Sequence, residues 1–114
     1  MERDRMSPLL FFEGVFTMKE SAIQKKIIDE IKIRLPGAIV IKNDARYIQG
    51  YPDLSIHYKD KYALLETKRA SNSSKRPNQD YYISKAKQDG AFASFINFDN
   101  KDAVLDEMER SLKA

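Results

Sequence analysis

Two strand-length runs, residues 53–58 and 62–68, stand on either side of Lys59-Asp60-Lys61. So short and polar a connection between apolar runs prescribes an antiparallel hairpin, and little else can be built from it. Side chains alternate across a strand, so Glu66 and Lys68 share one face with Leu64, while Leu65 and Thr67 take the other. A two-residue turn at Lys59-Asp60 sets Asp53 opposite Glu66 and Leu54 opposite Leu65; a three-residue loop would break this parity unless a bulge restored it.

The remainder of the chain supplies cover for that hairpin. Ile23, Ile27, Ile31 and Leu35 recur at helical spacing, predicting a helix over residues 19–35 that ends at Pro36-Gly37. Thr17 and Glu20 have the spacing of a capping box. Residues 38–41 form a continuous apolar run, expected as a strand buried on both faces. After a polar, basic stretch at 69–76, Pro77 opens a second helix that Gly90 stops. Residues 91–98 give a further apolar strand, and Asp99 or Asn100 caps a last helix striped by Val104, Leu105, Met108 and Leu112. The order is α-β-β-β-α-β-α. The helix between the third and fourth strands makes a crossover, so those two are expected parallel, in a mixed four-stranded sheet flanked by helices. The 114 residues fit one domain, taken as 18–114, with 1–17 as an N-terminal extension or packing arm. Leu9, Leu10, Phe11, Phe12, Val15 and Phe16 suit an extra strand or a surface covered by a second copy.

Composition narrows the chemistry. There is no cysteine and a single histidine, His57, so a metal site would be mostly oxygen-ligated and would favour Mg²⁺ or Mn²⁺. His57 alternates with Ile56 and Tyr58 beside the turn and is expected at the surface. No run is long enough to span a bilayer, and the acidic N-terminus does not suit a secretory signal, so the chain reads as cytoplasmic. The net charge of +3 is a weak pointer to a polyanion, sharpened by basic residues crowding the middle of the sequence.

Two carboxylates facing one another across a hairpin repel unless something compensates. A divalent cation reverses that argument by taking an oxygen from each, and Lys68, one step along the same face, can hold a water or phosphate oxygen at its edge. Glu20 lies on the core-facing stripe of the first helix, where a carboxylate needs a partner. Gln79 lies on the inner face of the second helix with Ile83 and Ala86, suited equally to a buried hydrogen bond and to a site. Asn43 suits a strand end. Arg46, Arg69, Lys75 and Arg76 flank these positions and fit phosphate contacts, or a solvated loop. Tyr81 and Tyr82 read as helix surface and core rather than a stacking platform.

Tyr51-Pro52-Asp53 followed by Leu65-Glu66-Thr67-Lys68 resembles the PD-(D/E)XK nuclease superfamily. With Glu20 and Gln24 in a first helix, Asn43 after the first strand and Gln79 opening the next helix, it is similar to the compact VRR-NUC type over about residues 19–98. The resemblance implies a restriction-endonuclease-like α/β core and a Mg²⁺- or Mn²⁺-dependent deoxyribonuclease. Asp53 and Glu66 would ligate the metal, with Thr67 contributing its backbone carbonyl and Glu20 a ligand through water. Lys68 would orient the attacking water and Gln79 support the site. Hydrolysis would leave a 5′-phosphate and a 3′-hydroxyl. Stand-alone domains of this type look like phage or prophage enzymes, some similar to dimeric Holliday-junction resolvases, which implies DNA as partner, a homodimer and no organic cofactor. The alternatives are a flap- or single-strand-specific nuclease or nickase of the same fold, a non-catalytic nucleic-acid-binding module, and a protein-interaction domain.

Overall fold

A computed structural model describes residues 9–12, 15–44, 46–69 and 78–114. The elements are β1 (Leu9–Phe12), β2 (Val15–Met18), α1 (Glu20–Arg34), β3 (Ile39–Lys42), β4 (Leu54–Tyr58), β5 (Lys61–Thr67), α2 (Gln79–Gln88), β6 (Phe92–Ile96) and α3 (Lys101–Lys113). From α1 onward this is the expected order. β1 and β2 pair antiparallel as a separate two-stranded sheet, with Leu9 opposite Met18, so β2 runs through the boundary expected between residues 17 and 18.

The main sheet has the order β3-β4-β5-β6, with β5 and β6 parallel and the other pairs antiparallel. Tyr58 pairs with Lys61 across the two-residue turn, and Leu54 with Leu65, which is the register that alternation predicts. The turn is tight enough to put Lys59 at φ 56°, in the left-handed region that non-glycine residues enter at a cost.

The sheet has two unlike faces. On one, Leu54, Ile56, Ala63, Leu65 and Ile96 pack with Ile23, Ile27 and Ile31 of α1 and Val104, Leu105, Met108 and Leu112 of α3. On the other, Leu64 and Ala93 meet Ile83 and Ala86 of α2, with Tyr51, Tyr62 and Phe95 at the margin. Charged groups clamp α1 to α3: Arg34 donates to Asp106 at 2.6 Å and Glu109 at 3.2 Å, and Lys101 pairs with Glu30. No helix among the described residues is long and apolar enough to cross a membrane.

Two expectations change. The strand at 38–41 is not buried on both faces: β3 is the sheet edge, and Ile39 and Ile41 are 62% and 43% exposed. An apolar, β-branched run satisfies an edge strand as well as a central one, because the preference reflects the pleated backbone as much as burial. Nor does Thr17 cap α1. It is held opposite Leu10 in β2, and the N-cap is Lys19, whose side chain makes no capping hydrogen bond.

Candidate active site

The C-terminal end of β5 leaves the ladder carrying charge into the interior. Glu66, Thr67 and Lys68 are 2%, 0% and 7% exposed. An interior carboxylate and ammonium need partners. Gln79, the first residue of α2 and itself buried, connects them: its amide nitrogen donates to Glu66 Oε2 at 2.7 Å, and its carbonyl accepts from Lys68 Nζ at 2.8 Å. With a carboxylate on one side and an ammonium on the other, the amide has one stable orientation. The backbone of Lys68 is fixed separately, its N–H donating to the Ile96 carbonyl at 2.8 Å.

Asp53 stands one residue before β4. Its N–H donates to Glu66 Oε1 at 3.1 Å, so the two residues are neighbours as the register predicts. Its carboxylate is held by Thr67. Asp53 Oδ1 accepts from the Thr67 N–H at 3.1 Å and from Thr67 Oγ1 at 3.3 Å. Strand alternation lapses where pairing ends, which frees the side chain to cap the buried end of β5. Burial pushes the Asp53 acid up to about 6; the hydrogen bond from Thr67 opposes this and the charge of Glu20 adds to it, while Gln24 also hydrogen-bonds the carboxylate. Glu20 and Gln24 thus bring α1 to Asp53.

The turn carrying Asp53 is pinned by Asn43. Its amide donates to the Pro52 carbonyl and to Ser55 Oγ, both at 2.8 Å, and its N–H donates to the Asp53 carbonyl. Ser55 escapes a reading of the sequence, although one hydroxyl between Leu54 and Ile56 in a buried strand is the signal that could reveal it. Gln24 escapes as a direct partner of Asp53; its spacing from Glu20, one helical turn, is the corresponding signal.

Glu20, Asp53, Glu66, Thr67, Lys68 and Gln79 are therefore gathered at one end of the sheet. The basic residues are not all gathered with them. Arg69 is exposed one step beyond Lys68. Arg46 is exposed and bound to Asp44, by Nε at 3.1 Å and Nη2 at 3.0 Å, which holds Asp44 below the usual carboxylate range. Lys75 and Arg76 lie outside the described residues. His57 is exposed and stacks on Tyr62.

Among the described residues no group of three or more His, Cys, Asp and Glu side chains is placed to hold a metal ion, so Glu20 does not join Asp53 and Glu66 as a third acidic ligand. The donors present are hard oxygens in a partly desolvated setting, and the Asp53 acid is raised chiefly by that burial, with a smaller contribution from the charge of Glu20. That chemistry fits Mg²⁺ or Mn²⁺ held by few protein ligands, with water filling the remainder.

No protein-family model and no curated protein matches the sequence. A solved structure of a VRR_NUC domain does match: TM-score 0.64, 21% identity, covering 76% of this chain and 94% of that one. At this identity the likeness is one of fold, and it spans nearly the whole of the other domain. The mixed sheet, its parallel β5–β6 crossover and the helices on both faces thus make up a fold similar to that of the VRR_NUC domain.

Proposed function

We propose that this chain is a metal-dependent DNA endonuclease, hydrolysing phosphodiester bonds at the end of β5. The observation that carries the reading is Gln79 joining a buried Glu66 to a buried Lys68, with Asp53 donating its N–H to the same Glu66. A binding module gains nothing from burying an acid and an amine together, whereas hydrolysis of a phosphodiester uses both.

Asp53 and Glu66 would hold Mg²⁺ or Mn²⁺ through their carboxylates, with the Thr67 carbonyl as a further oxygen donor and Glu20 acting only through water. When bound, the ion would lower the pKa of water and offset charge on the phosphate. The protein's own contribution is positional. Lys68, fixed by Gln79, presents an ammonium that orients the attacking water or a phosphate oxygen. Thr67 keeps Asp53 aimed by donating two hydrogen bonds to it. Arg69, with Lys75 and Arg76, would neutralise backbone phosphates beside the cut, and Arg46 could do so on releasing Asp44.

One subunit has one such centre, so cutting paired strands of branched DNA takes two subunits. The outer edge of β3, which no strand among the described residues pairs with and where Ile39 and Ile41 are exposed, is where a second copy would extend the sheet about a twofold axis. The test is nicking of supercoiled plasmid with Mg²⁺, with Mn²⁺ and with chelator, alongside a four-way junction and matched duplex. Nicking should require the metal and slow sharply in Glu66→Gln. A Glu66→Gln protein that nicks as fast as wild type would refute the assignment.

A further inference from the structure

The loop between Asn43 and Pro52 is closed at both ends on the turn that carries Asp53. At its start, the Asn43 N–H donates to the Asp53 carbonyl and the Asn43 amide to the Pro52 carbonyl, both at 2.8 Å. At its finish, Tyr51 hydrogen-bonds Ser55 and sets its ring against that of Tyr82 of α2, 5.2 Å between centroids. Two tight turns lie between these anchors: the Tyr47 N–H donates to the Asp44 carbonyl at 3.0 Å, and the Tyr51 N–H to the Ile48 carbonyl at 3.2 Å. Gly50, at φ 84°, supplies the left-handed step of the second turn. The Asp44 carboxylate accepts from the Arg46 N–H at 2.9 Å and from its guanidinium, which folds Arg46 back along the loop. Tyr47, the next residue, is left 87% exposed, the most open of the large hydrophobic side chains among the described residues.

A single exposed tyrosine on a surface needs no explanation by itself. Tyr47 differs in its support and in its place. Its backbone belongs to a loop pinned at both ends, so little chain freedom remains to be lost when something binds there. The first turn keeps the Cα atoms of Asp44 and Tyr47 within about 7 Å, Asp44 follows Asn43, and Asn43 pairs with Asp53, so the Cα atoms of Tyr47 and Asp53 are at most about 16 Å apart. At roughly 3.4 Å per step of a DNA strand, that is about five nucleotides. A phosphate held at Asp53 thus has its flanking nucleotides at the distance of the Tyr47 ring. An open aromatic face stacks on any base, and Ile48 beside it, 37% exposed, adds apolar surface to such a contact.

We propose that Tyr47 stacks on a nucleobase of the bound strand within a few nucleotides of the cut, and so sets the register of the backbone over Asp53 and Glu66. It is a positioning residue, which adds affinity without choosing a sequence. This rests on the nuclease reading above.

The chain has no tryptophan, so the full-length Tyr47→Trp variant carries a single indole to report on the contact. Ile33→Trp is the control, 77% exposed at the far end of α1 from Glu20. Each is titrated without metal with labelled duplex oligonucleotides of unrelated sequence, and indole emission is followed together with anisotropy of the label. Emission of Tyr47→Trp should be quenched over the same concentrations at which anisotropy rises, and that of Ile33→Trp should not change. Tyr47→Ala should weaken binding by roughly fivefold or more on every sequence, the scale of one stacked base, and Tyr47→Phe should bind as wild type. Binding of Tyr47→Trp without quenching, equal quenching of both indoles, or a Tyr47→Ala protein that binds as tightly as wild type overturns the contact. The two readings fail separately. Quenching without nicking by wild type in Mg²⁺ or Mn²⁺ removes the nuclease and keeps the contact, whereas metal-dependent nicking without quenching does the reverse.

Discussion

The two faces of the sheet are built from alternate residues of the same strand, yet they differ in kind. Ala63 and Leu65 of β5 enter a core of isoleucine, leucine, valine and methionine closed by α1 and α3. Leu64 and Glu66, and Lys68 just past the strand, enter the smaller α2 side, where polar groups and tyrosines take over toward the strand's end. A thick apolar layer on one side supplies rigidity, so the other can hold charges whose desolvation works against folding. Apolar packing and buried charge thereby fall on alternate positions of one strand, except at Thr67, which lies on the odd set and donates to Asp53.

That division can be broken by experiment. The largest effect expected is on cutting: Glu66→Gln, and separately Lys68→Ala, should slow nicking roughly 100- to 1,000-fold, or about 3–4 kcal/mol, measured on supercoiled plasmid. Their melting temperatures should move less than that of the next variant. Leu65→Ala, fully buried on the opposite face, should cost about 3 kcal/mol in urea unfolding, with cutting well below its melting temperature close to wild type. A Leu65→Ala protein that is stable but inactive would end the idea of separate duties.

A smaller effect concerns pH. The Asp53 acid is raised from 3.8 to about 6, chiefly by burial, so the folded chain binds a proton there more tightly than the unfolded chain does. Its contribution to stability is therefore complete below pH 3.8 and is lost as pH rises through about 6. In metal-free protein, Asp53→Asn should flatten that part of the stability profile and gain about 2 kcal/mol at pH 7.5, allowing for the solvent that still reaches Asp53. Mn²⁺ affinity of wild type, by calorimetry, should fall as pH drops through the same window. A flat metal-free profile would show that Asp53 is not desolvated. The smallest effect belongs to the α1–α3 clamp: Arg34→Ala should cost under about 1 kcal/mol, since Asp106 is largely solvated, and less in high salt.

Much of this was legible in the sequence because it follows from periodicity. Alternation and a two-residue turn specify that Leu54 meets Leu65, and the crossover helix makes β5 and β6 parallel. Gln79 was visible because it shares a helix face with Ile83 and Ala86. What eluded sequence reasoning lies where periodicity stops. Asp53 sits past the end of the ladder, where no repeat dictates that its carboxylate should turn to Thr67. The edge position of β3 is a matter of which neighbours a strand has, and its own residues do not encode that. Thr17 matched a capping pattern but belongs to a strand pair whose partner, Leu10, lies outside that pattern. Tyr51 of a loop meets Tyr82 of a helix, a contact no local pattern contains.

The parallel pairing of β5 with β6 also has a kinetic consequence. The β4–β5 hairpin closes over two residues, whereas Phe92 can meet Ala63 only after the chain has crossed through α2. Short closures are quick and long ones slow, so the acids of the hairpin should be set before the amide that orients them arrives. Pulse-labelled hydrogen exchange during refolding should find β4–β5 amides protected ahead of those in β6. Simultaneous protection would instead mean a single concerted closure, with no interval in which a half-built centre exists.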